Sequence, residues 1–233
     1  MAVGHDTTAG ALAPWEAGAA ELLALCDARG RPSARGGPRG GVHRDGTWHR
    51  SFHCWVVRAG ARGPELLLQR RAPTKDTWPG AWDVSAAGHY RPGEGLEGGL
   101  REVAEELGLV VPAAALVPLE RHREVIRYAS GLRDREYQDV YLVRCDRPLE
   151  AYVPDVGEVT GLMALPALAV ATLARGSVRR LRATAWLTQE DSWALATVAV
   201  TRSMLVTRAG RYYERVARAA GRLLRTQPAP LVE

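Results

Sequence analysis

The sequence predicts a mixed α/β fold in which helices cover a central sheet. Short apolar runs rich in β-branched and aromatic residues alternate with segments of helical periodicity. The clearest helical segment, residues 96–107, is followed directly by Gly108, and glycine commonly ends helices. The chain has no internal repeat and no heptad pattern of coiled-coil length. We therefore expect an α/β/α sandwich whose sheet core spans roughly residues 46–166, with helical additions at both ends.

The N-terminal region combines small, turn-forming residues with one helical pattern. Residues 1–13 are predicted to form a disordered tail. Apolar residues recur at helical spacing between Trp15 and Cys26. Gly, Arg and Pro dominate residues 33–41, as is typical of a loop. Residues 14–45 are therefore predicted to form a helix followed by a loop.

Residues 46–170 show the patterns of a sheet-based domain. Apolar runs bounded by Gly and Pro turns predict the strands, and the segment 96–107 predicts the main helix. A second, short helix is expected at residues 167–173. The predicted strands are residues 49–57, 65–70, 82–88 and 159–165, together with a long hairpin formed by residues 116–128 and 137–145.

The C-terminal region, residues 171–233, is predicted to be a helical extension. Its clearest element is an amphipathic helix near residues 211–224, with Val216, Ala220 and Leu223 on one side. No catalytic pattern is present in this region. We therefore expect a helical cover or a dimerisation element.

The composition is typical of a globular protein that folds in water. Hydrophobic residues make up 46% and charged residues 24% of the 233-residue chain, which excludes a collagen-like or wholly disordered protein. There is no window of about 18 apolar residues and no basic stretch before an apolar run at the N-terminus, so we expect neither a membrane span nor a secretory signal. The three cysteines form no CxxC pair, so we expect a cytoplasmic protein without a disulfide framework.

Arginine supplies nearly all of the positive charge. The formal net charge is +5, and Lys75 is the only lysine. Guanidinium groups bind phosphate well, so nucleic acid, nucleotides and small diphosphates are all compatible partners. A genomic preference for arginine over lysine would produce the same overall excess.

Residues 88–108 place acidic and basic side chains at helical spacing. Glu102 and Glu106 lie four residues apart and share a helix face, with Glu105 and Arg101 beside them. Clustered carboxylates are stable mainly around a cation, and hard divalent cations prefer oxygen ligands. The helical spacing alone does not distinguish a metal-binding face from a solvated face with Arg–Glu pairs, because both have the same spacing. The preceding glycine turn favours a compact metal-binding unit.

The order of these residues resembles the Nudix box, in which a glycine, a glutamate and an R-E-apolar-x-E-E-x-G-apolar helix follow one another. Six residues rather than seven separate Glu94 from Arg101 here, whereas the helical half is intact. The resemblance implies a Nudix-type α/β/α sandwich and a metal-dependent hydrolase that cleaves a diphosphate linkage. The matching residues are Gly88, Glu94, Arg101, Glu102, Val103, Glu105, Glu106, Gly108 and Leu109.

The resemblance extends over roughly residues 20–170. Residues 65–89 resemble the Nudix branch that contains type 1 isopentenyl diphosphate isomerases, with an arginine pair, a lysine, a W-P-G-x-W motif and a G-H ending. Residues 41–57 and 134–143 resemble the same branch.

Two features distinguish this chain from an isomerase. The isomerases need a protonating cysteine directly before the G-H pair, and that position is Ala87 here. Their second essential acid lies in the later hairpin strand, where residues 137–139 contain only Asp139 as an acid. We therefore favour hydrolysis of a nucleoside diphosphate-X or another organic diphosphate. An isomerase-like enzyme and a non-catalytic nucleotide-binding module are the alternatives.

The resemblance implies Mg²⁺ as cofactor, with Mn²⁺ as a substitute. Glu102 and Glu106 would be the principal ligands, and Glu105 would bind directly or through water. The backbone carbonyl of Gly88 would be a further ligand, and Arg101 would orient the glutamates.

The resemblance identifies the general base and the phosphate-binding groups less specifically than the metal ligands. One of the box glutamates or Glu158 would accept the proton of the attacking water. Arg70, Arg71 and Lys75 would hold substrate phosphate, or would form a solvated basic loop. The residues we assign to catalysis are Arg101, Glu102, Glu105 and Glu158.

Histidines and tryptophans leave further alternatives open. In the isomerases, histidines at places similar to His43, His49 and His89 bind a metal, so these three residues form a second metal site or are ordinary loop and sheet residues. Trp78 and Trp82 either stack on a substrate ring or pack in the core.

The expected partner is a small-molecule diphosphate. A homodimer is compatible with the resemblance, and no membrane partner is expected. Nucleic acid is not expected either, because the chain lacks a recognisable binding module and contains only one Phe.

Overall fold

The computed structural model describes residues 21–128, 131–189 and 192–227. The predicted tail 1–13 and the first part of the predicted N-terminal helix lie outside the described residues. The strands are β1 (Leu22–Cys26), β2 (Pro32–Pro38), β3 (His49–Gly60), β4 (Gly63–Arg71), β5 (Trp82–Asp83), β6 (Ala86–His89), β7 (Val117–Arg127), β8 (Arg133–Arg144), β9 (Val159–Pro166), β10 (Arg180–Gln189) and β11 (Ser192–Thr201). The α-helices are α1 (Arg39–Asp45), α2 (Leu96–Leu107), α3 (Ala167–Arg175) and α4 (Tyr212–Thr226).

A mixed sheet joins these strands, mostly in antiparallel pairs. Its main path has the order β11-β10-β9-β4-β3-β1-β2, while β8 lies parallel to β3 and pairs with β7. β3 pairs with β4 only near their connection, from Val57 onward. Before that point β6 lies beside β3, with Ser51 opposite His89. This exchange of partners brings β6 to the centre of the fold.

Side chains of β3 alternate between two hydrophobic layers. Phe52 and Cys54 belong to the layer that includes Val103 of α2. Trp55 belongs to the layer that includes residues of α3 and α4, such as Val216. Because successive strand residues point to opposite faces, one strand supports helices on both sides of the sheet. The predicted mixed α/β/α sandwich is confirmed.

The helix α2 has the bounds predicted from the sequence. The Glu97 carboxylate accepts a 2.7 Å hydrogen bond from the Gly95 N–H at its start, and Gly108 ends it in the left-handed conformation (φ 62°). Gly99 is buried against β3, where an added Cβ atom would lie only 2.2 Å from the Phe52 ring. The small residue allows α2 to approach the sheet closely. This close approach places Glu102 of α2 against Gly88 of β6.

The predicted N-terminal helix is wrong over its described part. Residues 22–26 form β1, which pairs antiparallel with β2 and contacts β3 between Leu25 and His49. The Ala24 N–H also donates to the Tyr90 carbonyl at 2.7 Å. Pairing with distant strands satisfies the backbone and outweighs a weak local helical pattern. The predicted loop 33–41 likewise contains β2 and the start of α1.

The C-terminal region is only partly helical. The predicted helix is confirmed as α4, but residues 180–201 contain the hairpin β10–β11 rather than helix. β10 also pairs with β9, which extends the central sheet. Alternating apolar residues and β-branched residues explain this hairpin. The domain boundaries proposed from the sequence stay a prediction.

Cys26, Cys54 and Cys145 are all buried as free thiols. Burial raises the pKa of Cys26 to about 11, and it also raises the pKa of Cys54. No helix within the described ranges combines the length and apolarity that crossing a membrane requires.

Candidate active site

A cavity of about 590 Å³ lies beside α2 and β6. Its walls bring together most of the site residues predicted from the sequence. These are Arg71, Lys75, Gly88, Arg101, Glu102, Glu105, Glu106 and Glu158.

Glu102 packs directly against the backbone of β6 at Gly88. A Cβ atom at Gly88 would lie 2.1 Å from Cδ and 2.4 Å from Oε2 of Glu102. Such contacts are sterically forbidden, so the carboxylate reaches the strand only because residue 88 is glycine. The fold thus brings together two groups that the resemblance assigns to one metal ion.

Arg101 binds the carboxylates around the start and the outer side of α2. Its Nη1 lies 2.8 Å from Glu102 and 2.9 Å from Glu105, and its Nη2 lies 3.4 Å from Glu94. Glu94 also accepts a 2.8 Å hydrogen bond from the Arg91 N–H. The shorter turn therefore still brings Glu94 to Arg101, where it holds the loop rather than lining the cavity.

Glu106 is the most buried of the box carboxylates, with 4% of the residue exposed. Its Oε2 accepts hydrogen bonds from the Ala87 N–H at 2.9 Å and from Gln69 Nε2 at 3.0 Å. Burial raises the pKa of Glu106 to about 7, although the Ala87 hydrogen bond and the Lys75 charge act in the opposite direction. Burial also raises the pKa of Glu102. A bound cation stabilises the ionised form, so metal binding and deprotonation of Glu106 are coupled.

Lys75 and Arg71 place two cations in the same wall as the box. Lys75 forms an ion pair with Glu158, and burial lowers its pKa. Arg71 Nη1 lies 3.6 Å from Asp83, and Arg71 Nε donates to the Thr77 carbonyl at 3.0 Å. Cations next to clustered carboxylates are suited to hold a phosphate that also binds metal ions.

Arg70 is not among the residues that line the cavity. Arg70 and Arg71 are neighbours on β4, and the pairing of β4 with β9 changes register between them. Arg70 Nε instead approaches the Gly80 carbonyl at 3.4 Å. Of the arginine pair, Arg71 therefore lines the cavity together with Lys75.

Three histidines from different elements form a compact cluster. The rings of His43, His49 and His89 have centroids 5.1 to 5.6 Å apart. One possible ligand atom of each lies within 4.8 Å of the others. Nδ1 of His49 lies 3.0 Å from the Thr47 carbonyl, which leaves Nε2 for the cluster. This arrangement is compact enough to supply three ligands to one ion.

Asp134 and Glu136 of β8 complete this cluster. His49 Nε2 lies 3.5 Å from a carboxylate oxygen of each, and His89 Nε2 lies 3.4 Å from Glu136. The parallel register of β3 and β8 causes this contact, because it places His49 directly opposite Glu136. We refer to these five residues as the histidine cluster.

Asp139, the one acid found among residues 137–139 of the hairpin strand, does not face the cavity. Asp139 pairs with Arg50 at 2.9 Å and with Arg121 at 2.6 Å, and it is not among the cavity-lining residues. The strand begins at Arg133, four residues earlier than predicted. The acids that face the histidines were therefore assigned to the turn and missed.

In the histidine cluster, the pKa shifts favour a neutral imidazole at His43 and an ionised carboxylate at Glu136. Burial acts to lower the pKa of His49, but the contact with Glu136 raises it above its usual value. Burial lowers the pKa of His43 to about 3, with help from the charges of His89 and His49. Burial would raise the pKa of Glu136, but His49 and His89 hold it well below its usual range. Burial and the neighbouring Glu136 raise the pKa of Asp134 to about 8. Neutral imidazole and ionised carboxylate are the forms that bind metal ions.

Orphaned polar atoms indicate that the histidine cluster fits a divalent ion. His43 Nε2, His49 Nε2 and Asp134 Oδ1 are buried without a hydrogen-bond partner. Each such atom costs about 1–3 kcal/mol, which coordination would offset. Imidazole with carboxylate suits Zn²⁺, Fe²⁺ or Mn²⁺. Within the part of the chain that the structure describes, the three-ligand groups of this compactness both contain His49.

The box carboxylates are spaced more widely and supply only oxygen ligands. This donor set suits a hard, hydrated ion such as Mg²⁺, which typically binds one or two carboxylates together with substrate phosphate.

The cavity needs cations to bind a diphosphate. Nine carboxylates and six arginine or lysine side chains line it. Carboxylates outnumber these cations even when Glu106 and Asp134 are protonated. A diphosphate would be repelled from this surface unless divalent ions were present.

Several cavity residues had no recognisable sequence signal. Arg39 was assigned to a loop, yet it lies in α1 and pairs with Asp76 at 2.9 Å. His53 and Arg208 also line the cavity. Trp78, one of the two tryptophans that the sequence offered for stacking on a substrate ring, lines the cavity as well. Trp82, by contrast, is 1% exposed and packs in the core. The alternation of β3 was the one signal available, since it places His53 on the α4 side with Trp55.

Comparison with known proteins gives a consistent family assignment. A family model described as NUDIX domain matches residues 47–187. An uncharacterized Nudix hydrolase from Clostridium acetobutylicum is 38% identical over 122 residues, covering 52% of this chain and 59% of that protein. Nudix hydrolase 3 of Arabidopsis thaliana is 39% identical over 133 residues, covering 55% of this chain but only 17% of that protein. This chain thus spans less than two thirds of either relative.

Isomerases and a solved structure are also similar. An isopentenyl-diphosphate Delta-isomerase from Paenarthrobacter aurescens is 37% identical over 129 residues, covering 54% of this chain and 67% of that protein. A crystal structure from Deinococcus radiodurans superposes with a TM-score of 0.52 at 23% identity, covering 67% of this chain and 89% of that chain. At that identity the likeness is evidence for the fold alone.

Proposed function

This chain belongs to the Nudix family, and from that premise we propose that it is a metal-dependent hydrolase that cleaves a diphosphate linkage in a small organic diphosphate. The observation that carries the proposal is one cavity that is lined by the three glutamates of α2 and Gly88 together with Arg71 and Lys75. Carboxylates supply the metal site, and the two cations supply direct contacts to phosphate oxygens.

In this proposal, Glu102 and Glu106 hold Mg²⁺, with Mn²⁺ as a substitute. An ion held there would supply positive charge to neutralise the phosphates of the substrate and to favour attack by water. Arg71 and Lys75 bind phosphate oxygens and orient the phosphorus atom for attack. Arg101 keeps Glu102 in place.

Two carboxylates are candidates for accepting the proton of the attacking water. Glu105 lies on the exposed side of α2, whereas Glu158 pairs with Lys75. Glu105→Gln and Glu158→Gln separate them. The base is the residue whose replacement lowers kcat by roughly 100-fold or more without changing metal affinity. Small losses in both variants would mean that neither acts as the base.

We also propose that the histidine cluster holds a second divalent cation. Its orphaned buried atoms support this assignment, as does the position of His89 in the cavity wall. The second ion would add positive charge to the cavity beside His89 of β6. This charge would favour binding of the anionic substrate.

Hydrolysis is favoured over isomerisation because the cavity lacks one proton donor. Ala87 occupies the position at which the related isomerases place their protonating cysteine, and it lines the cavity with only a methyl group. Glu136 also lines the cavity and could serve as the second acid of an isomerase. The argument against isomerisation therefore depends on the missing cysteine. A homodimer and a cytoplasmic location remain predictions from the sequence.

The test measures phosphate and pyrophosphate release from a panel of organic diphosphates with Mg²⁺ and with Mn²⁺. The panel contains nucleoside diphosphate sugars, dinucleoside polyphosphates and isoprenoid diphosphates. Isopentenyl diphosphate is also assayed for isomerisation. We expect metal-dependent release that falls at least about 100-fold in Glu106→Gln, because the variant keeps the shape but loses the ligand charge.

Glu150→Gln is the matched control, since Glu150 is exposed and lies outside the cavity. It should retain full activity. Isomerisation without hydrolysis would contradict the proposal. Intact folding and metal binding with no turnover of the panel would favour a non-catalytic nucleotide-binding module.

A further inference from the structure

Part of the cavity wall comes from beyond the segment that matches the family. The matched segment ends at residue 187, yet Val206 and Arg208 line the cavity. Both belong to the connection between β11 and α4. The C-terminal region therefore contributes directly to the site and does more than cover the sheet.

Several hydrogen bonds hold this connection against the sheet. The Val206 N–H donates to the Trp82 carbonyl at 2.9 Å, and the Tyr213 hydroxyl donates to the Val206 carbonyl at 2.6 Å. Arg208 Nη2 donates to Asp83 at 2.5 Å, and the two side chains are 7% and 3% exposed. A connection fixed at several points presents its side chains in one arrangement.

Arg208 retains donor capacity after it pairs with Asp83. A guanidinium group has five N–H donors, and the Nε of Arg208 is buried without a hydrogen-bond partner. The ring of Tyr212 lies beneath its charge, with the guanidinium carbon 5.9 Å from the ring centroid. The buried cation is therefore positioned but not fully satisfied.

His53 presents a second donor to the same cavity. Trp55 Nε1 donates to the Tyr212 hydroxyl oxygen at 3.0 Å, because an indole N–H can only donate. The Tyr212 hydroxyl proton is then available for His53 Nδ1 at 2.9 Å. Burial and the charge of Arg208 lower the pKa of His53 to about 3, so the ring is neutral. In the arrangement in which Tyr212 donates to Nδ1, the ring proton of His53 lies on Nε2, the nitrogen that Tyr212 does not use.

Aromatic and apolar groups complete this part of the cavity. Trp78 and Tyr128 both line it, and their ring centroids lie 6.4 Å apart in an edge-to-face arrangement. Trp78 has φ 51°, a left-handed conformation that a residue with a side chain rarely adopts. Such strain commonly marks functional positions. Val206 adds an aliphatic surface.

We propose that His53, Trp78, Tyr128, Val206 and Arg208 form a C-terminal subsite that selects substrates whose organic group is a planar ring carrying hydrogen-bond acceptors. Arg208 and His53 donate to the acceptors, and the aromatic side chains contact the ring. Tyr212 is a positioning residue, because it sets the tautomer of His53. This inference rests on the proposed diphosphatase function and names the substrate feature that the site recognises.

A hydrocarbon group would fit this subsite poorly. It would cover the donors of Arg208 and His53 without offering a hydrogen-bond acceptor to either. Leaving buried donors unpaired is costly, and a charged donor is the more costly of the two. The subsite therefore discriminates against isoprenoid diphosphates, although relatives of this chain are named isopentenyl-diphosphate isomerases.

The experiment compares uridine diphosphate with dimethylallyl diphosphate as substrates of the full chain with Mg²⁺. Tyr212→Phe keeps the ring and removes the hydroxyl that orients His53. We expect the wild type to prefer uridine diphosphate in kcat/KM by at least about 10-fold. In Tyr212→Phe, KM for uridine diphosphate should rise roughly 3- to 30-fold with little change in kcat, whereas KM for dimethylallyl diphosphate should not change.

Tyr152→Phe is the matched control, because Tyr152 is a buried tyrosine outside the cavity whose hydroxyl donates to Cys145 Sγ at 3.6 Å. It should leave both KM values unchanged. A Tyr212→Phe variant that weakens both substrates equally would overturn the proposal, since that pattern indicates a structural role. A wild-type preference for dimethylallyl diphosphate would overturn it while leaving the diphosphatase function intact.

A binding measurement separates this proposal from the proposed function. If neither substrate is hydrolysed, calorimetry with the same two probes and Mg²⁺ still tests the subsite. We expect tighter binding of uridine diphosphate and loss of that preference in Tyr212→Phe and Arg208→Gln. Equal affinity for the two probes in the wild type would overturn the proposal. Arg208→Gln also removes the nearer of the two arginines that pair with Asp83 and leaves Arg71 at 3.6 Å, so its folding is checked by circular dichroism.

Discussion

At Gly88, the absence of a methyl group decides where the Glu102 carboxylate lies. We expect Gly88→Ala to displace Glu102 from β6, because the new Cβ would lie 2.1 Å from its Cδ. The displacement should lower kcat/KM at least about 10-fold, since small shifts of catalytic groups are costly. Steady-state kinetics at saturating Mg²⁺ measure this effect.

Gly41→Ala is the control for that substitution. The nearest side-chain atoms to its added Cβ, from Arg44 and Pro38, would lie 3.7 Å away, so both activity and stability should be retained. Unchanged kinetics in Gly88→Ala would show that Glu102 is not held in the position that catalysis uses.

The elevated pKa of Glu106 predicts pH-dependent metal binding. With a pKa of about 7, the group is protonated at lower pH and must release its proton before it ligates a cation. The affinity for Mg²⁺ should therefore fall as pH decreases below 7, by up to about tenfold per unit, and level off above pH 8. Titration calorimetry at several pH values measures this. Glu106→Gln should bind Mg²⁺ more weakly and with a flatter profile.

The sequence predicted the box residues because local helical spacing alone places them together. The proximity of Glu102 and Glu106 followed from the correct bounds of one helix. Asp134 and Glu136 were missed because their position depends on the parallel register of β3 and β8. Arg208 was also missed because its position depends on a distant contact. Its partner Asp83 lies 125 residues earlier in the chain.

At the level of elements, the close approach of α2 to β3 depends on Gly99. We expect Gly99→Val to destabilise the protein by about 2–3 kcal/mol, because the side chain would overlap the Phe52 ring. Urea denaturation measures the change in the free energy of unfolding. A stability equal to that of the wild type would show that α2 is not packed this closely.

The helix α4 contains a glycine in its interior that no close contact requires. The nearest heavy atom to an added Cβ at Gly221 is the flexible end of Arg225, at 3.6 Å. We expect Gly221→Ala to raise the free energy of unfolding by about 0.5–1 kcal/mol, because alanine loses less conformational freedom in a helix. The same denaturation assay measures it, and destabilisation would mean that this position is more crowded than the structure indicates.

Elements with strong local signals were predicted well, and those that depend on distant partners were not. The turn signals around β3 and the glycine after α2 fixed both elements closely. The segment at β1 carried a weak helical pattern that pairing with β2 and β3 overrode. The hairpin β10–β11 was missed because its small, alternating residues were interpreted as part of a helical region.

For the whole molecule, a metal in the histidine cluster would link elements that are far apart in sequence. We expect Zn²⁺ or Mn²⁺ to raise Tm, since an ion that binds only the folded state at 100 times its Kd adds about 2.7 kcal/mol. His49→Gln should remove most of this shift, and Glu150→Gln should preserve it. Thermal unfolding followed by circular dichroism measures the effect. An equal shift in His49→Gln would place the ion elsewhere.

The contribution of the C-terminal connection to the cavity also determines when the site forms during synthesis. Tyr212 contacts a histidine that emerges from the ribosome 159 residues earlier. Until α4 has been translated, the nascent chain lacks the cover for Trp55, one of its largest core side chains. Long-range contacts form late, and exposed apolar surface invites aggregation or chaperone binding in the interval. Docking of α4 late in synthesis therefore both completes the cavity and covers the exposed apolar surface of the nascent chain.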